Sequence, residues 1–402
     1  MMLVSPADLR RAEDAVAAVA IPTPVSPSPN LSSLAGRMVL LKHEERQRTG
    51  SFKIRGAANF VAGLDASVQA VVAASAGNHA QGVALAASSR GLASTVFMPE
   101  TTPLPKLDAT RGYGATVKTV SGGVEACIDA ARTASEAEGT VYVPPFDDPL
   151  VIAGQATVGL EIATEAPDEV ETVVVPVGGG GLIAGVATAL AHRRRGIRVI
   201  GVEAAEAASM AASVSAGAVT TIEVGATMAD GIAVAQPSEL TLAHVRAYVD
   251  EMVSVTEEEI SQAMVLLLER TKSLVEPAGA TGVAALLAGK VSGTGPTVAV
   301  LSGGNVDPLL LIKLVDHGLS AAGRYVVVRV LLPDRPGMLA SLLREIADLG
   351  LNVLAVEHHR SGLDLAVDQV EVRLTLETRD PDHHDEVIAA LVASGHEATT
   401  VA

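Results

Sequence analysis

Two rhythms of hydrophobic spacing divide the chain. From about residue 36 to residue 310, short β-rich runs alternate with Ala-rich stretches of helical spacing, the order expected of an open parallel α/β sheet. Gln69–Ala74 (QAVVAA) predicts a strand that turns into a helix from about His79. Ser94–Pro99, Gly114–Val120 and Thr140–Val143 predict further strands. Glu171–Val177 (ETVVVPV) is continuous and β-branched, as a central strand buried on both faces requires. Arg198–Glu203 and Thr297–Ser302 repeat that type. Thr256 followed by Glu259 forms a capping box, and Ile260, Ala263, Met264 and Leu267 then mark one apolar helix face.

Beyond Leu319–Arg324 the rhythm changes. Tyr325–Leu332 predicts a strand, and Leu339, Leu342, Leu343 and Ile346 form a helical stripe closed by Gly350. Asn352–Glu357 predicts a second strand. In Gln369–Glu377 apolar and polar residues alternate, so one face is buried and the other wet. A helix over Asp382–Ala393 and a strand near His396–Val401 complete the order βαββαβ, a small antiparallel sheet covered by two helices. The change of rhythm sets a domain boundary at about residue 320.

Composition narrows the function. Hydrophobic residues make up 49% and charged residues 19% of 402, enough for a large core. Aromatic residues are only 2%, without Trp, which excludes the stacking platforms of single-stranded nucleic-acid binders. A net charge of −17 repels nucleic acid and anionic membranes, so a small-molecule protein is expected. The single cysteine, Cys127, permits neither a disulfide framework nor a CxxC zinc site and reads as an inert buried thiol. No charge-free apolar run reaches membrane-span length, and the charged N-terminal stretch does not read as a signal peptide. The expected setting is cytoplasmic.

Four glycine-rich or lysine-bearing loops carry candidate chemistry. In Arg48–Ala57 (RTGSFKIRGA), Lys53 is flanked by Phe52 and Ile54; desolvation there lowers an amine pKa and makes it a nucleophile toward carbonyls. Taken alone, Lys53 reads more simply as a surface lysine on a helix. Ser75-Ala76-Gly77-Asn78-His79 joins a strand to a helix, leaving backbone N–H groups at the positive helix end as a seat for a carboxylate, with Asn78 offering an amide donor. Gly178-Gly179-Gly180-Gly181-Leu182 allows close backbone approach to a phosphate. It lacks the Gly-Lys-Ser/Thr of a P-loop and the third glycine of GxGxxG, although Glu203 lies roughly where a ribose-binding acid would stand, so a dinucleotide-binding dehydrogenase is a weak rival. Ser302-Gly303-Gly304-Asn305 alone is a turn. Together a lysine, a phosphate loop and a neutral hydroxyl suit a ligand with an aldehyde, a phosphate and a ring nitrogen, and pyridoxal phosphate fits.

At this point the chain resembles the threonine dehydratases (threonine ammonia-lyases) of the fold-type II pyridoxal-phosphate enzymes that carry a C-terminal ACT domain. RTGSFKIRGA, SAGNHAQG, PVGGGGL, TMADGIAV, EPAGA and SGGN follow the family order, and the likeness covers nearly the whole chain. It implies an α/β fold with two lobes of parallel sheet (tryptophan synthase β-like), residues 1–320 with a smaller lobe at roughly 44–147, followed by a ferredoxin-like ACT domain over 321–402. It implies Lys53 as the Schiff-base lysine, Phe52 against the cofactor ring and Asn78 on its phenolic oxygen. Gly178, Gly179, Gly180, Gly181 and Leu182 would hold the phosphate, Ser302 the pyridine nitrogen, and Ser75 to His79 the substrate carboxylate. A hydroxyl at Ser302 does not enforce ring-nitrogen protonation as a carboxylate would, which favours elimination over transamination.

The implied activity is dehydration of L-threonine to 2-oxobutanoate and ammonia, with L-serine as secondary substrate, feeding isoleucine biosynthesis. A β-replacement synthase of the cysteine-synthase type is the alternative enzyme, but its loops would read TSGN and GTGGT. A catalytically inert amino-acid sensor is the other, opposed by intact Lys53, Asn78 and Ser302. Ala76 stands where related serine racemases carry a hydroxyl, so racemisation is not the expected activity. Those relatives bind a divalent metal near a residue corresponding to Glu203, but Ser209 replaces the expected Asp, and no tight metal site is expected. Gly154-Gln155-Ala156-Thr157 has Ala where GQGT is usual. The pairs His358–His359 and His383–His384 lack completing ligands and read as solvated surface histidines. ACT resemblance through Asp334–Leu339 implies Arg335, Gly337, Met338 and Asn352 as an effector site for isoleucine or valine, in a homodimer or homotetramer.

Overall fold

The computed structural model describes residues 2–321, 323–360, 365–366 and 368–401. It divides into two compact units, Met1–Asp307 and Pro308–Ala402. In the first unit β1 (Val25–Pro27) and β2 (Val39–His43) pair antiparallel. The chain then builds a separate parallel sheet from β3 (Ala70–Ala74), β4 (Ala93–Pro99), β5 (Thr116–Val120) and β6 (Thr140–Tyr142), in the order β5-β4-β3-β6. It returns through β7 (Thr172–Pro176), β8 (Arg198–Ala204), β9 (Glu251–Val255) and β10 (Thr297–Leu301), giving the order β1-β2-β10-β7-β8-β9, parallel from β2 onward. Every residue of β2, β7 and β10 is buried, the condition under which alternation disappears and a β-branched run remains. The four loops singled out above leave the carboxyl ends of β2, β3, β7 and β10, where open α/β sheets bind ligands.

Small residues let the helices approach closely. A Cβ at Gly82, in the helix Asn78–Ser89, would come within 3.1 Å of the backbone of Lys53 and Ile54. A Cβ at Gly154 would lie 2.5 Å from the Arg55 carbonyl, and one at Gly185 would lie 2.5 Å from the Ala156 nitrogen. Ala156 is wholly buried, and the close approach at this crossing depends on Gly185 having no side chain. The helix Lys53–Ala62 is further pinned by Arg55, whose Nε lies 2.7 Å from Glu44 Oε2 and whose Nη1 lies 2.6 Å from Glu161 Oε1. Lys42 on β2 also pairs with Glu161. Cys127 is 1% exposed, and burial pushes its thiol pKa up. No described helix is long and apolar enough to cross a membrane.

The second unit begins with the helix Pro308–Ala321. It continues through β11 (Tyr325–Pro333), the helix Met338–Asp348, β12 (Val353–His359), β13 (Gln369–Glu377), the helix Pro381–Ala393 and β14 (Glu397–Thr400). The antiparallel order is β12-β13-β11-β14. Leu342 and Ile346 from the helical stripe meet Val370, Val372, Leu374 and Leu376 in the core. His358 and His359 are exposed on β12, as expected. His383 and His384 instead lie half-buried in the first turn of a helix, with His384 Nε2 3.0 Å from the Gly323 carbonyl oxygen.

Candidate active site

The loops after β2, β3, β7 and β10 converge on one cavity of about 1510 Å³ in the first unit. Its wall includes Phe52, Lys53, Ser75 to His79, Gly178 to Leu182 and Ser302, so every residue expected for catalysis, cofactor and substrate carboxylate is brought together. Phe60, Tyr142 and Phe146 line it too. With Phe52 they are four of the eight aromatic residues in the chain, spent on one site.

Lys53 opens its helix, where a cation opposes the helix dipole. Its Nζ donates to the Pro145 carbonyl at 3.1 Å and lies 5.3 Å from the centre of the Phe52 ring. Burial lowers its pKa to about 8, against the opposing pull of Glu276. That brings an appreciable fraction of free amine within reach near neutral pH. His79 contributes no positive charge. Burial and the neighbouring Lys53 push its pKa down to about 3, and its Nε2 donates to the Val143 carbonyl at 2.9 Å. The first N–H groups of the helix Asn78–Ser89 have no intrahelical acceptors, and Asn78 and His79 line the cavity. Gly77 N–H is turned to Ser75 Oγ at 3.2 Å.

The glycine loop is a cradle that side chains would fill. A Cβ at Gly178 would meet Ile232 at 2.8 Å, and one at Gly179 would meet the Phe146 ring at 2.3 Å. Gly180 caps the helix Gly181–Arg193 at φ +89°, a left-handed conformation that favours glycine. The combination of a backbone cradle at a helix start and a half-buried amine of lowered pKa fits a phosphorylated aldehyde. Gly179→Ala is expected to weaken retention of such a ligand by about 5- to 150-fold, the effect of overpacking worth about 1–3 kcal/mol. Equilibrium dialysis of the cofactor measures this; unchanged retention would count against the cradle.

Glu276, from EPAGA, also lines the cavity. Glu276, 8% exposed, accepts a hydrogen bond from Asn78 Nδ2 at 2.7 Å. Burial pushes its pKa up to about 7, with Asp230 adding to the rise and Asn78, Lys106 and Lys53 opposing it. Its only sequence signal was its place in EPAGA. Glu203 lies elsewhere: its two carboxylate oxygens accept the N–H groups of Met210 and Ala211, each at 2.8 Å.

The implied effector residues do not meet within one chain. Asn352 precedes β12 beside Glu377, which pairs with Tyr325 at the start of β11. Arg335, Gly337 and Met338 follow Pro333 at the other end of that strand, roughly 27 Å away at strand rise. The separation follows from β12 running parallel in direction to β11, both being antiparallel to β13.

A two-lobed parallel scaffold with this lysine and this cradle defines a pyridoxal-phosphate enzyme. The chain belongs to the pyridoxal-phosphate dependent enzyme family, whose model matches residues 16–303, and an ACT domain model matches residues 326–393. Among curated proteins it is 48% identical over 372 residues to the L-threonine ammonia-lyase of Geobacter sulfurreducens, covering 92% of each chain. It is 46% identical over 397 residues to the L-threonine ammonia-lyase of Thermotoga maritima, covering 98% of each. Among solved structures it resembles threonine deaminase isoform 2 of Solanum lycopersicum, with TM-score 0.73 and 38% identity, covering 77% of this chain and 92% of that one. It also resembles maize serine racemase, with TM-score 0.74 and 34% identity, covering 80% and 99%.

Proposed function

We propose that this protein is a threonine ammonia-lyase that converts L-threonine to 2-oxobutanoate and ammonia, accepts L-serine as a secondary substrate, and is regulated through its ACT domain. The observation that carries the reading is Lys53, an amine with a lowered pKa facing a glycine cradle in a single cavity. The relatives named L-threonine ammonia-lyase across nearly the whole chain support the choice of substrate.

When bound, pyridoxal phosphate supplies an electrophilic carbon for an amine and a conjugated ring that withdraws electrons from the substrate Cα. Gly178 to Leu182 and the start of the helix Gly181–Arg193 would bind the phosphate through backbone N–H groups. Asn78 would donate to the phenolic oxygen, and Ser302 would meet the pyridine nitrogen with a neutral hydroxyl. The N–H groups after Gly77 orient the substrate carboxylate. With the cofactor in place, Lys53 would take the proton from Cα as general base, at a position fixed by its own helix. The β-hydroxyl needs one proton to depart as water, and the proton that Lys53 has taken from Cα balances it; the released enamine tautomerises and takes up one water on hydrolysis, so that one threonine yields one 2-oxobutanoate and one ammonia.

Loading of cofactor onto the apoenzyme follows the free amine. Because the pKa of Lys53 is lowered to about 8, the capture rate is expected to rise roughly tenfold per pH unit below 8 and to level off above it. Stopped-flow absorbance from pH 6 to pH 10 measures the profile; a rate still climbing at pH 10 would place the amine at its ordinary value.

The deciding assay is kcat/KM for L-threonine and L-serine with and without isoleucine and valine. Threonine turnover to 2-oxobutanoate, shifted by an effector, is expected. A chain that binds cofactor and makes no 2-oxo acid would overturn the proposed activity. Feeding of isoleucine synthesis and a cytoplasmic homodimer or homotetramer belong to the same proposal, supported by the ACT domain and these relatives.

A further inference from the structure

We infer that Glu276 and Asn305 are positioning residues that lock the side-chain amide of Asn78, leaving its second N–H for the bound cofactor. Asn305 Nδ2 donates to Asn78 Oδ1 at 2.7 Å and to the Thr49 carbonyl at 2.8 Å. Asn78 Nδ2 donates one hydrogen to Glu276 Oε1 at 2.7 Å. Asn305 Nδ2, held also by the Thr49 carbonyl, can serve only the amide oxygen, and Glu276 as a carboxylate serves only the nitrogen. A flipped amide would set Asn305 N–H against Asn78 N–H and lose the bond to Glu276. In the observed orientation one Nδ2 hydrogen remains, on a side chain that lines the cavity.

Two further features mark the arrangement as built. Glu276 is the N-cap residue of the helix Pro277–Leu287, yet its side chain makes no capping bond there. It reaches instead to a residue 198 positions away in sequence. Both partners also need glycine beside them. A Cβ at Gly303 would lie 2.4 Å from Glu276 Oε1, and a Cβ at Gly50 would lie 2.4 Å from Asn305 Oδ1. Glycines in two of the family motifs are therefore space for this relay rather than for the cofactor alone.

The inference rests on the reading of Asn78 as a cofactor contact, and the test separates the two. The full-length holoenzyme is compared as Asn78→Ala, Glu276→Ala, Glu276→Gln, Asn305→Leu and the double variants with Asn78→Ala. The readouts are the absorption maximum of the bound cofactor and its dissociation constant. Glu276→Ala and Asn305→Leu are each expected to shift the maximum and weaken cofactor binding about tenfold, the loss of one charge-assisted or buried bond. Glu276→Gln, which keeps an acceptor oxygen, should retain the wild-type maximum. In the Asn78→Ala background the further substitutions should change nothing more. If Asn78→Ala leaves both readouts unchanged, the reading of Asn78 fails. If Asn78→Ala shifts them while Glu276→Ala and Asn305→Leu do not, or if their effects add to it, the relay is overturned. Asn305→Leu lies on a different loop from Glu276, so a folding failure of one variant leaves the other to decide.

Discussion

Lys53→Ala is expected to lower kcat/KM for L-threonine by at least about 10⁴-fold, because the proposed mechanism gives one side chain the work of both covalent anchor and general base. The variant should also lose the visible absorption band of bound cofactor after gel filtration, whereas wild-type protein keeps it. The two losses have different origins. The first removes the group that moves the Cα proton; the second removes the bond that holds the aldehyde. Lys53→Arg sharpens the test, since a guanidinium keeps the charge and much of the length but stays protonated and cannot attack a carbonyl. It should be as inactive as the alanine variant. Added methylamine is expected to restore a small part of the turnover to Lys53→Ala, because the cavity has room for a free amine where Nζ lay. A band that survives in Lys53→Ala, or activity within tenfold of wild type, would remove Lys53 from the mechanism.

Much of this site was legible because its parts are local. A glycine run after a β-branched strand, or a lysine between Phe52 and Ile54, is visible in ten residues, and the strand rhythm marks each loop as following a strand of a parallel sheet. Even the direction of the Lys53 shift could be argued from its neighbours, and burial in the cavity bears that direction out. What stayed hidden depends on distant pairing. Glu276 has a role only because the fold sets it against Asn78, and as an acid before Pro277 it reads as a helix start. Phe146 lies in a Pro- and Asp-rich stretch that resembles a loop, and nothing local says that its ring will close on Gly179. In the second unit the motif residues were individually plain, but strand direction parts Asn352 from Gly337. A single effector molecule therefore meets at most one of these two groups in a given chain.

Arg55, two residues beyond Lys53, is the other place where one substitution should have a large effect. Its side chain is 1% exposed, and Glu44 beside it is wholly buried. Glu44 and Glu161 supply two carboxylates, and Arg55 and Lys42 supply two cations, so the cluster is neutral as a whole. The charges hold Glu161 below the usual carboxylate range despite burial, and hold Arg55 above its ordinary value. Removing Arg55 leaves Glu44 without its cation in a site water does not reach, and breaking a buried pair in this way costs about 3–5 kcal/mol. Arg55→Ala is therefore expected to destabilise the first unit by that order, while Arg55→Lys, which keeps a charge but loses the fork, should fall between. Because two units need not unfold together, the measurement is hydrogen exchange by segment rather than one melting curve. Protection should fall in β2, in Lys53–Ala62 and in Pro149–Glu165, the elements the arginine ties together, and should be unchanged in β11 to β14. The sign with pH follows from Glu161. Its folded pKa is depressed, so its share of the stability is present above the ordinary carboxylate value and is lost as pH falls through the lowered one. The difference between wild type and Arg55→Ala should accordingly shrink in acid. Equal protection in the two proteins at neutral pH would show that the cluster contributes little to stability and that Lys53 is positioned by helix packing alone.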